Sequence, residues 1–263
     1  MPLPPAAELT SFFHNLCDAA AAATLPLFRS KLGVVNKLDA GFDPVTEADR
    51  DAERAIRALI EKHYPDHGIV GEEFGTARPD ASLQWIIDPI DGTRAFISGI
   101  PVWGTLIGLY EDGVPVAGAV DQPFTRERYM SVDGVCRLKV GDADAEILQT
   151  KSTRNLQDAT LMTTSPHLFT KDWEQSYFNV EREVKLFRYG CDCYAYCLLA
   201  AGQVDLVIES GLNIYDIAAL IPIVEAAGGV VTSWQGDNAS QGGSILACAN
   251  SDLHEQALVL LNS

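Results

Sequence analysis

Two aspartates three residues apart, Asp88 and Asp91, close an apolar run and are followed at once by Gly92 and Thr93. The stretch reads Trp85-Ile86-Ile87-Asp88-Pro89-Ile90-Asp91-Gly92-Thr93. Carboxylate oxygens are the ligands a hard divalent cation needs, and the turn behind them offers backbone amides that can face an anion. Glu72 and Asp216 also stand at the ends of expected elements. Two divalent ions a few ångströms apart, bridged by one aspartate, would activate a water and stabilise the leaving oxygen of a phosphate ester. Thr93, linked to Asp49, would orient that water. Each acid also has a plainer reading. Asp88 and Asp91 fit an Asx-type turn, Asp216 suits the positive end of its helix, and Asp49 fits a helix cap.

The elements that must position these acids follow from the pattern. Trp85, Ile86 and Ile87 read as the buried end of a strand. Pro89 biases Asp88 toward extended backbone, Gly92 permits a tight turn, and Thr93 is placed to cap a helix beginning at Arg94. Upstream, Phe12, Phe13, Leu16, Ala20 and Ala23 predict a helix over residues 6 to about 28. A loop follows over 30–42, in which Lys37 is the only cation near the next motif. In Asp43-Pro44-Val45-Thr46-Glu47-Ala48-Asp49, Thr46 is the expected N-cap of a helix to His63, with Asp49 completing a capping box. His67-Gly68-Ile69-Val70-Gly71 is a short strand ahead of Glu72, and 76–82 reads as a surface loop. Strands over 102–110, 114–120, 128–132, 137–140 and 146–148 form an antiparallel meander. From Ala159 onward strands and helices alternate. One helix spans 192–201, and another runs from Asn213 or Tyr215 to Ala227, ended by Gly228-Gly229. The expectation is one domain over 1–263, with a soft sub-lobe boundary near 149–160.

Composition narrows the class. The 263 residues are 47% hydrophobic and carry a net charge of −17. That charge argues against direct nucleic-acid binding, where a Lys/Arg surplus is needed, and against an anionic membrane surface. It suits a site that collects cations. No apolar run approaches the roughly 18 residues of a membrane span, and the N-terminus lacks a signal peptide's basic region; a cytoplasmic protein is expected. Cys191, Cys193 and Cys197 form C-x-C-x₃-C, read as reduced packed thiols in preference to a metal site. The five histidines show no metal spacing and read as surface or loop residues, His167 lying beside Pro166 where it could approach the site. Water is therefore the expected nucleophile.

Three segments together carry a family resemblance. Asp88-Pro89-Ile90-Asp91-Gly92-Thr93, with Gly71-Glu72-Glu73 upstream and Tyr215-Asp216…Glu225-Ala226-Ala227-Gly228-Gly229 downstream, resembles the inositol monophosphatase family from about Leu9 to Leu260. The resemblance implies an α/β fold, a layered α/β/α/β/α sandwich of the inositol monophosphatase and fructose-1,6-bisphosphatase type. It also implies a Mg²⁺-dependent, lithium-sensitive phosphatase with two or three ions per site, Mn²⁺ as a substitute, and a homodimer. By the same resemblance Glu72, Asp88 and the Ile90 carbonyl would hold one metal, and Asp88, Asp91 and Asp216 a second. Glu72 would support a third. Asp49 and Thr93 would polarise the water near Glu72, the amides of Gly92 and Thr93 would bind phosphate, and Glu209 would meet the alcohol part of the substrate.

Departures bear on the substrate. Arg94-Ala95-Phe96 follows Thr93 where inositol-type members have Thr-Asn-Phe, Tyr215 replaces a Trp, and Gly190 is followed by Cys191-Asp192-Cys193-Tyr194. The run from Arg94 to Thr105 resembles the bacterial histidinol-phosphate phosphatase branch. Asp192 and Glu209 would then pair with that substrate's ammonium and imidazole. Asp192 fits equally as a first-turn acid, Arg94 reads better as an ion-pair partner than as a substrate group, and Trp103 as core. Inositol phosphates, or a sugar or nucleotide phosphate such as 3′-phosphoadenosine 5′-phosphate, are the alternative substrates. A non-catalytic relative that binds a protein partner is the alternative of another class.

Overall fold

The computed structural model describes residues 2–30, 35–36 and 44–263. Of the loop expected over 30–42, Lys37 lies outside the described residues, as do 31–34 and 38–42; Asp43 is outside too. An eight-stranded mixed sheet orders Glu146–Ile147, Val135–Val140, Glu127–Val132, Val114–Gln122, Gly104–Glu111, Leu83–Asp91, Gly68–Gly71 and Gly75–Ala77. Only its Gly68–Gly71/Leu83–Asp91 pair is parallel. A five-stranded sheet orders Leu186–Tyr189, Thr160–Thr163, Leu206–Leu212, Gly243–Cys248 and Val230–Thr232.

Side-chain alternation along the strands sorts these sheets into layers. Trp85 and Ile87 face one way and bury against Phe12, Phe13, Leu16, Ile56 and Ile60 of the helices Ala6–Thr24 and Glu47–His63. On the opposite face Leu106, Val120 and Tyr129 meet Cys197, Leu199, Ile223 and Val224. The helices Asp192–Ala200 and Leu220–Ala226 therefore form a middle layer, because Val207, Ile245 and Ala247 of the second sheet close the same core. The far face of that sheet is covered by Lys171–Glu181 and Ser251–Leu261, through Tyr177, Val180, Leu253, Ala257 and Leu261. The result is the expected α/β/α/β/α sandwich. Among the described residues no helix is long and apolar enough to cross a membrane.

Several local expectations need correction. Gly75–Ala77, overlapping the start of the stretch read as surface loop, is an edge strand paired to Gly68–Gly71. The helix expected from Asn213 or Tyr215 to Ala227 is two pieces, Ile214–Ile217 and Leu220–Ala226. Pro222 explains the break, since it lacks the N–H that would reach the Ala218 carbonyl. His67 and His254 are buried, not surface residues. The His67 ring accepts the Trp85 indole N–H at 3.1 Å and stacks on Tyr64. All six cysteines are free of disulfides.

The break has a positional consequence. Gly108 and Gly118 lie on neighbouring strands beneath Ala218 and Ala219. A Cβ at Gly108 would stand 2.8 Å from the Ala218 Cβ and 2.9 Å from its carbonyl carbon. The segment carrying Asp216 thus reaches the sheet because these positions lack side chains. Gly108→Val is expected to destabilise the fold by about 1–3 kcal/mol through overpacking. Urea denaturation measures this, and an unchanged midpoint would refute the close-packing role.

Candidate active site

The strand Leu83–Asp91 loses register with Gly104–Glu111 between Asp88 and Asp91. Asp88 still opposes Leu106, whereas Asp91 opposes Gly104. This bulge is held by the Thr105 hydroxyl, which donates to the Pro89 carbonyl at 2.8 Å. It re-aims both acids toward the strand's exit, as bulges do next to sites. Asp88 accepts the Ile90 N–H at 3.0 Å and is 2% exposed. Asp91 accepts the Cys193 N–H at 2.6 Å, from the start of the middle-layer helix Asp192–Ala200. Asp216 arrives from a third element as the closing acid of a capping box, accepting the Asn213 N–H at 2.6 Å.

These placements bring carboxylate oxygens of Asp88, Asp91 and Asp216 within 4.8 Å of one another. Glu72 follows the neighbouring strand, where its N–H donates to the Ile87 carbonyl at 3.2 Å, and its carboxylate reaches the Asp88 carboxylate. Burial pushes Asp88 well above the usual carboxylate range, and the charges of Glu72, Asp91 and Asp216 push the same way. Asp91 is raised well above that range by burial and by Asp192 and Asp216, against the pull of the Cys193 N–H. Like charges this close, with Asp88 buried and Asp91 and Asp216 half-buried, are unfavourable without a cation or protons between them. The donor set is all hard oxygen, so it fits a hard divalent cation. Among the described residues no other group of three acids, histidines or cysteines is arranged to hold a metal.

The two residues expected to orient water each bond within their own segment. Gly92, at φ 80°, is the N-cap of the short helix Thr93–Ile97, so Thr93 is its first residue and not its cap. The Thr93 hydroxyl donates to the Ile90 carbonyl at 3.0 Å. Asp49 spends its Oδ2 on the Thr46 N–H at 2.9 Å and the Thr46 hydroxyl at 2.6 Å. Asp49 is the capping-box acid of Glu47–His63 and is pushed up to about 6 by burial, with the Thr46 bonds opposing and Glu72 adding.

A cavity of about 290 Å³ opens over the acids. Glu72, Asp91, Gly92, Thr93, Arg94, Asp192, Glu209 and Asp216 line it, while Asp49, Asp88 and Ile90 lie outside its lining. Asp192, at φ 45°, packs on Gly92, where an added Cβ would meet its Cβ and Cγ at 3.2 Å. Burial pushes Asp192 up to about 6 and Arg94 holds it down; Arg94 faces Asp192 as a counter-charge. Glu209 accepts the Thr164 N–H at 2.5 Å and the Thr163 hydroxyl at 3.3 Å. His167 is outside the lining and its neighbour Leu168 is in it. Tyr196 is a lining residue that inspection of motifs passes over. A signal for it exists in the sequence, since it follows Asp192 by four residues on a helix and so shares its face.

Glu209 is 4% exposed, and burial pushes it up to about 7 from an ordinary 4.5. Below about 4.5 the group is neutral folded and unfolded, and its contribution to stability is complete. As pH rises toward 7 the unfolded chain ionises first, so stability is lost across that window. Glu209→Gln stays neutral and should flatten the slope. Between about pH 5 and 7.5 the parent is expected to lose on the order of 2 kcal/mol more than the variant. Equal slopes in urea melts at the two pH values would refute the assignment.

Comparison with known proteins places this geometry. Residues 6–263 match the inositol monophosphatase family. The bifunctional phosphatase IMPL2, chloroplastic, of Arabidopsis thaliana is 45% identical, the match covering 93% of this chain and 72% of that protein. The histidinol-phosphatase of Mycobacterium tuberculosis is 37% identical across 84% of this chain and 85% of its own length. Among solved structures, an inositol monophosphatase from Zymomonas mobilis aligns with a TM-score of 0.87 at 41% identity, covering 99% of this chain and 100% of that one. With a carboxylate cluster under a cavity and a match of this extent, the chain belongs to the inositol monophosphatase family and is a phosphomonoester hydrolase.

Proposed function

We propose that the protein hydrolyses L-histidinol phosphate to L-histidinol and phosphate, using Mg²⁺ held by Glu72, Asp88, Asp91, Asp216 and the Ile90 carbonyl. The observation that carries the substrate is Glu209. It is a carboxylate buried in the cavity wall and bonded to Thr163 and Thr164, with no Lys or Arg pairing it among the described residues. A cationic alcohol portion would supply the missing charge. Asp192 lines the same cavity, and relatives named histidinol-phosphatase support the reading.

The chain's own groups account for the rest of the site. Thr93 lies on the cavity wall with its hydroxyl oriented by the Ile90 carbonyl. The first N–H groups of the Thr93–Ile97 helix lack intrahelical acceptors and so point toward an anion. Glu72, also on the wall, takes the proton of the attacking water. Water oxygen bonds to phosphorus as the ester P–O bond breaks, and a proton ends on the departing alkoxide. A bound divalent cation would supply positive charge against the phosphate and lower the pKa of water.

An inositol phosphate is the second reading, supported by the Zymomonas mobilis structure. A polyol would satisfy Asp192 and Glu209 by hydrogen bonds alone. The homodimer implied by the family has a candidate face in the edge strand Leu186–Tyr189, where Leu186, Phe187 and Tyr189 are exposed.

Phosphate release from histidinol phosphate is expected to require Mg²⁺ and to fall with EDTA or Li⁺. Asp91→Asn should lower kcat/KM by about 10²–10³-fold, since each factor of ten is ~1.4 kcal/mol of barrier. Activity surviving both metal depletion and Asp91→Asn would sink the metal mechanism. Histidinol phosphate, inositol 1-phosphate and 3′-phosphoadenosine 5′-phosphate compared by kcat/KM decide the substrate, and a preference for either of the others would reject the one proposed. Phe187→Asp is expected to dissociate the dimer in light scattering after size exclusion; an unchanged mass would place the interface elsewhere.

A further inference from the structure

Four buried side-chain atoms find no hydrogen-bond partner among the described residues: Trp103 Nε1, Asp121 Oδ2, Tyr196 Oη and Asp205 Oδ1. Of these four side chains, Tyr196 alone borders the carboxylate cavity. Tyr196 is 2% exposed and sits one turn after Asp192 on the helix Asp192–Ala200, so the two share a face. Glu209, Asp91 and Asp216 line the same cavity, and burial first, then their charges, disfavour ionisation of its hydroxyl. All three are acceptors, and a phenol is a donor.

Glu209 has capacity to spare. A carboxylate offers about four acceptor positions. Glu209 uses one on the Thr164 N–H and one on the Thr163 hydroxyl, the latter long at 3.3 Å. A buried hydroxyl without a partner lowers stability, and native proteins keep few of them. Phenylalanine would fill the same volume without that penalty. A tyrosine here is therefore unexplained by packing.

We propose that Tyr196 is a positioning residue for substrate selection: when a phosphate ester with a cationic alcohol portion occupies the cavity, the Tyr196 hydroxyl donates to Glu209 and holds that carboxylate against the cation. The inference rests on the cationic-substrate reading and deepens it. Tyr196 acts through Glu209 and leaves the phosphate side of the site untouched.

Tyr196→Phe removes the hydroxyl alone. Without substrate its melting temperature is expected to equal the parent's or exceed it by about 1–3 °C, as a modest stabilisation does in a chain of this size. For histidinol phosphate kcat/KM should fall about tenfold, mostly through KM, while for p-nitrophenyl phosphate it stays within about twofold. In a Glu209→Gln background the same substitution should change neither value further, because the two act as a unit. A melting temperature several degrees lower with equal losses on both esters would mark a structural role and overturn the proposal. Unchanged selectivity in Tyr196→Phe would overturn it as well. If the parent enzyme itself shows no preference for histidinol phosphate, the cationic-substrate reading fails and takes this inference with it.

Discussion

Repulsion among carboxylates, Asp88 buried and the others half-buried, is the constraint around which the molecule is arranged. Asp88, Asp91 and Asp216 converge within 4.8 Å, and Glu72 adds a further charge against Asp88. Such a cluster resists its own assembly, because burial and proximity both disfavour the ionised forms. What holds it is backbone geometry. Asp88 takes the Ile90 N–H, Asp91 the Cys193 N–H and Asp216 the Asn213 N–H. The bonds orient the acids without neutralising them, which leaves the charge for a cation.

Convergence also demands close layers. Asp216 comes from the middle helical layer and Asp88 from the sheet beneath it, so the distance between those layers sets the site. Gly108 and Gly118 let the backbone at Ala218 and Ala219 approach the sheet. Pro222 interrupts the helix just there, allowing Ile214–Ile217 its own direction. The same segment that closes the core thereby aims an acid.

The site divides by origin. Glu72, Asp88, Asp91, Gly92 and Thr93 belong to the eight-stranded sheet and its exits. Asp192 and Tyr196 come from the middle helix, and Glu209 from the second sheet. The acid cluster is thus supplied mainly by one sheet and its exits, with Asp216 added from the helix Ile214–Ile217, and later elements build the rest of the cavity wall.

Where the deciding interaction is local, the sequence alone determined it. Thr46 and Asp49 three residues apart made a capping box legible. Alternation marked the strands, and the Asp-Pro-Ile-Asp-Gly-Thr spacing placed two acids at a strand exit. Taken together, these motifs were enough for the family and the layered fold. Only the tertiary structure decided what depends on partners distant in the chain. Gly75–Ala77 became a strand because Gly68–Gly71 offered an edge, and His67 was buried by Trp85 and Tyr64. Tyr196 and Glu209 came to line one cavity in the same way, since nothing near either in the sequence brings them together. A hydrogen bond between neighbours in sequence is written in residue types and spacing. One between layers is set by how the cores pack, and packing is a property of the whole chain.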